Sequence, residues 1–191
     1  MKENLILQKI TVNNYEINEL FNYLNQDFKS FERLPLFIIR SALKKGILNA
    51  VYLTDGQQVY GYAIYQTVPT YKWLHVLYLA ILPEHRSLGL GSTIIKLLNE
   101  LTDKGIILEV EAPEAGKNEE DSTTRKRRVQ FYERNGFNLN PDMNLKNFGY
   151  HIKMMSNINL LPEINWLEFY RVLYNRVYGL PLGSLFIKNI R

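Results

Sequence analysis

With 191 residues, 46% of them apolar, the chain is long enough for one well-filled core and short for two, since a domain takes roughly 100 to 200 residues. The aromatic (13%) and charged (22%) fractions exclude a disordered or collagen-like chain, a charge of +4 is too mild to argue a nucleic-acid partner, and the absence of cysteine excludes disulfides, thiolate catalysis and cysteine-ligated zinc. The three histidines, His75, His85 and His151, form no helical ligand pair, so no metal is expected, and no stretch approaches the roughly 20 apolar residues of a membrane span, which with the lack of an apolar leader points to a cytoplasmic protein.

Residues 5–12 read as a strand, and residues 15–28, with Ile17, Leu20, Phe21 and Leu24 at helical spacing, as a first helix. Pro35 opens a second helix carrying Leu36, Ile38, Ile39 and Leu43, which Gly46 stops. Strands over 48–54 and 59–67 form a hairpin through Asp55-Gly56-Gln57-Gln58. A further strand runs over 73–81 until Pro83, and a helix over 91–103 places Ile94, Ile95, Leu98 and Leu101 on one face before Gly105. After a strand at 106–111 come a polar loop at 113–121, a helix at 122–135 and strands near 137–139 and 149–155. The last helix is expected over 162–178, with Pro162 and Glu163 in its first turn, Gly179 at its end and Trp166, Phe169, Tyr170, Leu173, Tyr174 and Val177 on a broad aromatic face.

The chemistry concentrates where the strand ending Leu79-Ala80-Ile81 meets Arg86-Ser87-Leu88-Gly89-Leu90-Gly91 and the helix that Ser92 continues. A helix start offers unpaired backbone N–H groups and the positive end of a dipole, so it attracts phosphate. Gly89 and Gly91 remove side chains that would hold a diphosphate away, and Arg86 adds a planar cationic donor. A nucleoside-triphosphate loop is excluded because no lysine follows these glycines, and a dinucleotide fingerprint because the third glycine is missing.

Arg86-x-x-Gly89-x-Gly91 after this strand resembles the acyl-CoA signature of the GCN5-related N-acetyltransferase (GNAT) superfamily. A second block, Phe131-Tyr132-Glu133-Arg134-Asn135-Gly136-Phe137, is similar to that family's late helix and following strand, and the resemblance covers about residues 4–156. It implies that backbone groups at Leu79, Ala80 and Ile81 grip the pantetheine, that Arg86 to Ser92 hold the pyrophosphate, and that Tyr132 protonates the departing thiolate. Where the family often has a cofactor-contacting asparagine, seven residues before the tyrosine, this chain has Arg125. Arg125, Lys126, Arg127 and Arg128 crowd early helix turns and require negative charge nearby, either Glu119-Glu120-Asp121 or the 3′-phosphate of CoA.

An amine nucleophile must lose a proton before it attacks a thioester, so a base or water relay is expected. His75 lies six residues before Ile81, where histone-modifying members carry a glutamate. Glu109 and Glu111 alternate onto one face of their strand and either could bind or deprotonate the amine; Glu32 and Arg33, in the early loop, are further candidates.

The expectation is an α/β fold of the α+β type, with the resemblance implying a mixed, mainly antiparallel central sheet flanked by helices, plus an extra C-terminal helix. Residues 1–156 would form the acyl-CoA-binding catalytic domain and 157–191 a helical extension packed on it. The activity implied is N-acetyl transfer from acetyl-CoA to a primary amine by direct attack; the alternative is a non-catalytic acyl-CoA-binding regulator. Acetyl-CoA and an amine acceptor are the expected partners, without a membrane or nucleic acid, and with a homodimer left open.

Overall fold

In a computed structural model that describes residues 4–30, 33–140, 143, 145–147, 149–159 and 161–189, the chain divides into two units, Met1–Asp103 and Lys104–Arg191. The first begins with β1 (Ile6–Lys9) and α1 (Asn14–Asp27). The Asn13 side chain accepts the Glu16 N–H at 2.8 Å, while Glu16 accepts the Thr11 N–H and hydroxyl, each at 2.6 Å. Such capping contributes about 1 kcal/mol and fixes the angle at which the chain enters the helix. Ile17, Leu20, Phe21 and Leu24 are buried along one stripe of α1, as their spacing requires, and α2 (Leu36–Lys44) buries Ile39, Ala42 and Leu43.

Strands β2 (Asn49–Thr54), β3 (Val59–Thr67) and β4 (Leu74–Ile81) follow, and the unit's sheet runs β1-β2-β3-β4 with every pair antiparallel. The β2–β3 turn is wired as its sequence suggests: Asp55 Oδ1 accepts the N–H groups of Gln57 and Gln58 at 2.9 and 3.0 Å, and Gly56 takes φ +91°. Between β3 and β4 the register slips: Ile64 faces Tyr78 and Tyr65 faces Val76, so Leu77 has no partner and β4 carries a bulge. Gly61 lies opposite Ile81, and a Cβ there would meet the Ala80 carbonyl oxygen at 2.5 Å. The glycine therefore lets β3 and β4 close on each other just before the chain leaves β4 for the glycine-rich turn.

Helix α3 (Leu90–Asn99) buries Leu90, Ile94, Ile95 and Leu98. It stops short of the expected 103: the Leu101 and Thr102 N–H groups bond to Leu98 and Asn99 in tighter turns, the Thr102 hydroxyl donates to the Lys72 carbonyl, and Leu101 is exposed rather than part of the apolar face.

The second unit opens with β5 (Ile106–Glu111) and α4 (Glu119–Arg134), the latter capped by Asn118. Then come β6 (Asn138–Leu139), β7 (Leu145–Asn147), β8 (Tyr150–Ser156), α5 (Trp166–Tyr178), α6 (Gly183–Phe186) and β9 (Ile187–Asn189). Strand β8 pairs antiparallel with β5 on one edge and, in tandem, with β7 and β6, and β9 extends the sheet beyond β7. Helix α5 starts at Trp166 instead of near Pro162 because the Asn165 side chain, accepting the Glu168 N–H at 3.2 Å, is its cap. Tyr170, Leu173, Tyr174 and Val177 are buried, and Gly179 ends the helix at φ +70°. The result is an α/β fold whose strands are mainly antiparallel and flanked by helices.

Candidate active site

Leu79, Ala80 and Ile81 end β4 half-buried, and one turn of 3-10 helix at Pro83–His85 leads to Arg86. Ser87 (φ +64°) and Gly89 (φ +77°) then adopt left-handed conformations with one residue between them. Glycine does so freely, whereas a non-glycine residue there costs about 1–2 kcal/mol, so Ser87 stores strain in an exposed turn. Gly89 is also the N-terminal cap of α3, and the first bonds into the helix run from Ser92 and Thr93 back to the Gly89 carbonyl. By their position the amides of Gly89, Leu90 and Gly91 have no acceptor within the helix. Arg86, Ser87, Leu88, Gly89 and Ser92 are exposed, so this row of donors faces solution at the positive end of the α3 dipole, while buried Leu90 anchors it to the core.

Arg86 is held from two sides. Its Nε donates to the Ile81 carbonyl at 3.0 Å and Nη2 to Asp27 Oδ1, at the end of α1, at 2.7 Å. The Asp27 side chain is only 4% exposed against 55% for Arg86, and its other oxygen accepts the Tyr62 hydroxyl at 3.1 Å. Burial pushes the Asp27 carboxyl above its ordinary range, with Tyr62 and Arg86 pulling it back down. The arginine is thereby fixed over the turn with much of its side chain still exposed.

His75, on β4, is 1% exposed, and its Nδ1 lies 3.2 Å from the Gln66 amide nitrogen across the β3–β4 pair. Arg33 is half-buried with Nε lacking a hydrogen-bond partner among the described residues, the adjoining Leu34 N–H donates to the Tyr78 hydroxyl at 2.8 Å, and Glu32 lies outside the described residues.

In the second unit, Glu109 and Glu111 share one face of β5 while Leu108 and Val110 are buried. Glu111 is taken up by two guanidinium groups: Arg125 Nη2 at 3.3 Å from Oε1 and Arg128 Nη1 at 2.8 Å from Oε2. Arg125, 3% exposed, also grips Asp121 at 2.9 Å and donates to the Ala112 carbonyl at 3.1 Å. Local carboxylates are thus in contact with Arg125 and Arg128: Asp121, from the acidic run before them, and Glu111, from β5. Glu109 accepts from Asn147 Nδ2 at 3.0 Å and from the Tyr174 hydroxyl at 3.2 Å.

Tyr132 lies on the buried face of α4, its ring edge-on to Phe131 and Phe137. Gly136 (φ +84°) turns the chain so that the Phe137 N–H returns to the Tyr132 carbonyl at 3.1 Å. Desolvation raises the phenol above its usual range and Arg128 opposes it only in part, so the hydroxyl stays protonated at neutral pH.

Three residues around these groups were not singled out as site residues by sequence. Asp27 is one polar residue at the end of an amphipathic helix, and Asn147 sits in a three-residue strand without alternation. Tyr174 reads in the sequence as part of an aromatic face, whose hydroxyl partner no periodicity reveals. Among the described residues no group of three or more His, Cys, Asp or Glu could hold a metal ion, and no helix is long and apolar enough to cross a membrane.

The family model for the acetyltransferase (GNAT) domain matches residues 48–139, from the start of the hairpin through the glycine turn to the strand after α4. No curated protein matches the sequence. Among solved structures, a Bacteroides thetaiotaomicron protein described as an acetyltransferase of the GNAT family is 24% identical, covering 91% of this chain and 98% of its own with a TM-score of 0.75. An aminoglycoside 6′-N-acetyltransferase complexed with coenzyme A is 13% identical over 83% of this chain and 99% of its own, TM-score 0.62. The ribosomal-protein-S18-alanine N-acetyltransferase of Escherichia coli is 17% identical over 85% and 98%, TM-score 0.55. Residues 48–139, which include the glycine turn, thus form a GNAT acetyltransferase domain, on a fold shared with GNAT-family proteins along nearly the whole chain.

Proposed function

We propose that the chain transfers the acetyl group of acetyl-CoA to a primary amine by direct attack. The observation that carries the cofactor half of this reading is the turn from Arg86 to Gly91. Two left-handed residues and a helix start present exposed amides beside an arginine clamped by Asp27 and the Ile81 carbonyl. This arrangement suits a diphosphate held by Arg86, Ser87, Leu88, Gly89, Leu90, Gly91 and Ser92, with Leu79, Ala80 and Ile81 as backbone partners for the pantetheine. The amine half is supported by two relatives of the same fold, whose names state transfer to an aminoglycoside 6′-nitrogen and to a ribosomal-protein alanine.

In the reaction the amine nitrogen attacks the thioester carbonyl carbon, a C–N bond forms, the C–S bond breaks with its electron pair leaving on the CoA sulfur, and the proton lost from nitrogen passes to solvent, so that the products are the amide and free CoA. We assign the amine contact to Glu109. Its rivals are less suited: His75 is enclosed in the sheet against Gln66, and the Glu111 carboxylate is neutralised by Arg125 and Arg128. Tyr132 keeps the role that the resemblance implies, as a donor to the departing sulfur. A phenol raised above about 10 is a weaker acid than a thiol near about 8.5, so it stabilises the thiolate by donating a hydrogen bond more than by full proton loss. Arg125, buried among carboxylates, is assigned to holding α4 on β5.

The test is release of free CoA from acetyl-CoA across polyamines, amino acids, aminoglycosides and peptide N-termini. Amine-dependent release is expected. Thermal stabilisation by acetyl-CoA without release for any amine would favour the non-catalytic regulator. Arg86→Ala and Gly91→Val are expected to reduce that stabilisation at sub-saturating acetyl-CoA, and shifts equal to wild type would remove the pyrophosphate assignment. Tyr132→Phe is expected to lower kcat while leaving the stabilisation intact.

A further inference from the structure

Glu109 is gripped by donors from two elements, β7 and the C-terminal helix α5. Asn147 Nδ2 donates both to Glu109 Oε2 at 3.0 Å and to the Tyr174 hydroxyl oxygen at 2.6 Å. The same hydroxyl donates onward to Glu109, at 3.2 Å from one carboxylate oxygen and 3.4 Å from the other. Three side chains thus close a ring in which each polar hydrogen points toward the carboxylate or toward the group that serves it. The direction of the Asn147 amide follows from chemistry: flipped, it would set its oxygen against a carboxylate oxygen, while the observed orientation gives Glu109 a donor.

That orientation has an unfavourable side. Asn147 is 8% exposed, and its Oδ1 is buried without a hydrogen-bond partner among the described residues. Leaving a buried acceptor unmade is a destabilising feature that an apolar side chain of similar size would avoid. Its benefit lies in what the other end of the amide does, which is to fix Glu109 and Tyr174. The Glu109 charge also reaches α5 in a second place: the Tyr170 phenol is pushed well above its usual range first by burial and then by Glu109.

We propose that Asn147 and Tyr174 are positioning residues for the Glu109 carboxylate in its contact with the acceptor amine. Helix α5 is then part of the acceptor-handling machinery as well as a cover for the sheet. The inference rests on the amine-transfer reading and on the assignment of Glu109 within it. Tyr174 reaches the carboxylate through its hydroxyl, while its ring is buried among the residues of α5 that also include Tyr170, Leu173 and Val177. Asn147 steadies both partners.

The discriminating experiment is a double-mutant cycle on the full-length chain, using the amine found to release most CoA. Tyr174→Phe keeps the ring and Asn147→Leu fills the space, so both are expected to fold, which melting temperature checks. Each is expected to lower kcat/KM for the amine by about tenfold, with KM for acetyl-CoA unchanged. Glu109→Gln is expected to lose more, and adding Tyr174→Phe to Glu109→Gln to lose little further, because the hydroxyl acts through the carboxylate. Losses that multiply independently in the double variant, or Tyr174→Phe and Asn147→Leu both at wild-type kcat/KM, would overturn the positioning role while leaving amine transfer intact. No amine-dependent CoA release by the wild type would overturn the amine reading and this inference with it.

Discussion

Asp27 is remote in sequence from the glycine-rich turn, yet it holds the arginine of that turn in place. Its carboxyl is raised by burial, so the charged form is held at a net disadvantage, yet it accepts from Arg86 and Tyr62. Because a raised carboxyl makes the folded state bind its proton more readily than the unfolded one, the charge reduces stability above the unfolded pKa; that penalty disappears as pH falls below it. Asp27→Asn is therefore expected to leave the melting temperature at neutral pH unchanged or slightly higher, and to raise KM for acetyl-CoA about tenfold, ~1.4 kcal/mol, because Arg86 loses the partner that aims it. Steady-state kinetics beside a thermal melt decide the point. A lower melting temperature with unchanged KM would make Asp27 a structural residue only. The sequence displayed Arg86 because glycines at fixed offsets surround it, and it hid Asp27 because a single carboxylate at a helix end has the same appearance whether solvated or buried.

At the scale of elements, turns with side-chain chemistry were legible and short pairings were not. Asp55-Gly56 announced the hairpin, and the observed strand Val59–Thr67 has the expected limits. Leu145–Asn147 and Ile187–Asn189 are three-residue strands, too short to show alternation, and they exist because β8 and β7 supply partners. The bulge at Leu77 is not legible in the sequence because register depends on the neighbouring strand. In the hairpin, the Tyr60 hydroxyl and the Gln57 and Gln58 amides lower the Asp55 carboxyl to about 2. A depressed carboxyl contributes stability above its unfolded pKa and loses it as pH falls through the folded value, here from about 4 to about 2. The denaturation midpoint of wild type is expected to exceed that of Asp55→Asn at pH 7, with the gap closing toward pH 2; a pH-independent gap would assign the effect to turn geometry. In the glycine-rich turn, Gly89→Ala forces an L side chain to φ +77°, at about 1–2 kcal/mol, and is expected to weaken acetyl-CoA binding by distorting the α3 cap.

For the molecule as a whole, the question is what the residues beyond the matched domain contribute. The family match ends at residue 139, yet much of the second unit's organisation comes later. Helix α5 buries Tyr170, Leu173, Tyr174 and Val177, β9 pairs with β7, and Gly183 approaches α5 so closely that a Cβ would sit 2.6 Å from the Arg171 carbonyl oxygen. At roughly 1.5–3 kcal/mol for each large apolar side chain taken out of water, the helix stabilises the unit by an amount comparable to the whole net stability of a domain. Deleting residues 160–191 would uncover that apolar surface and leave β7 as an open edge, the combination that templates association. The truncated chain is expected to melt at lower temperature, to elute as aggregate or oligomer in size-exclusion chromatography, and to lose at least the roughly tenfold in kcat/KM for the amine expected of Tyr174→Phe, because Tyr174 leaves Glu109. A truncated chain that stays monomeric with the wild-type melting temperature would show the C-terminal segment to be dispensable for the fold. If that stable monomer also kept wild-type kcat/KM for the amine, α5 would have no part in acceptor handling either.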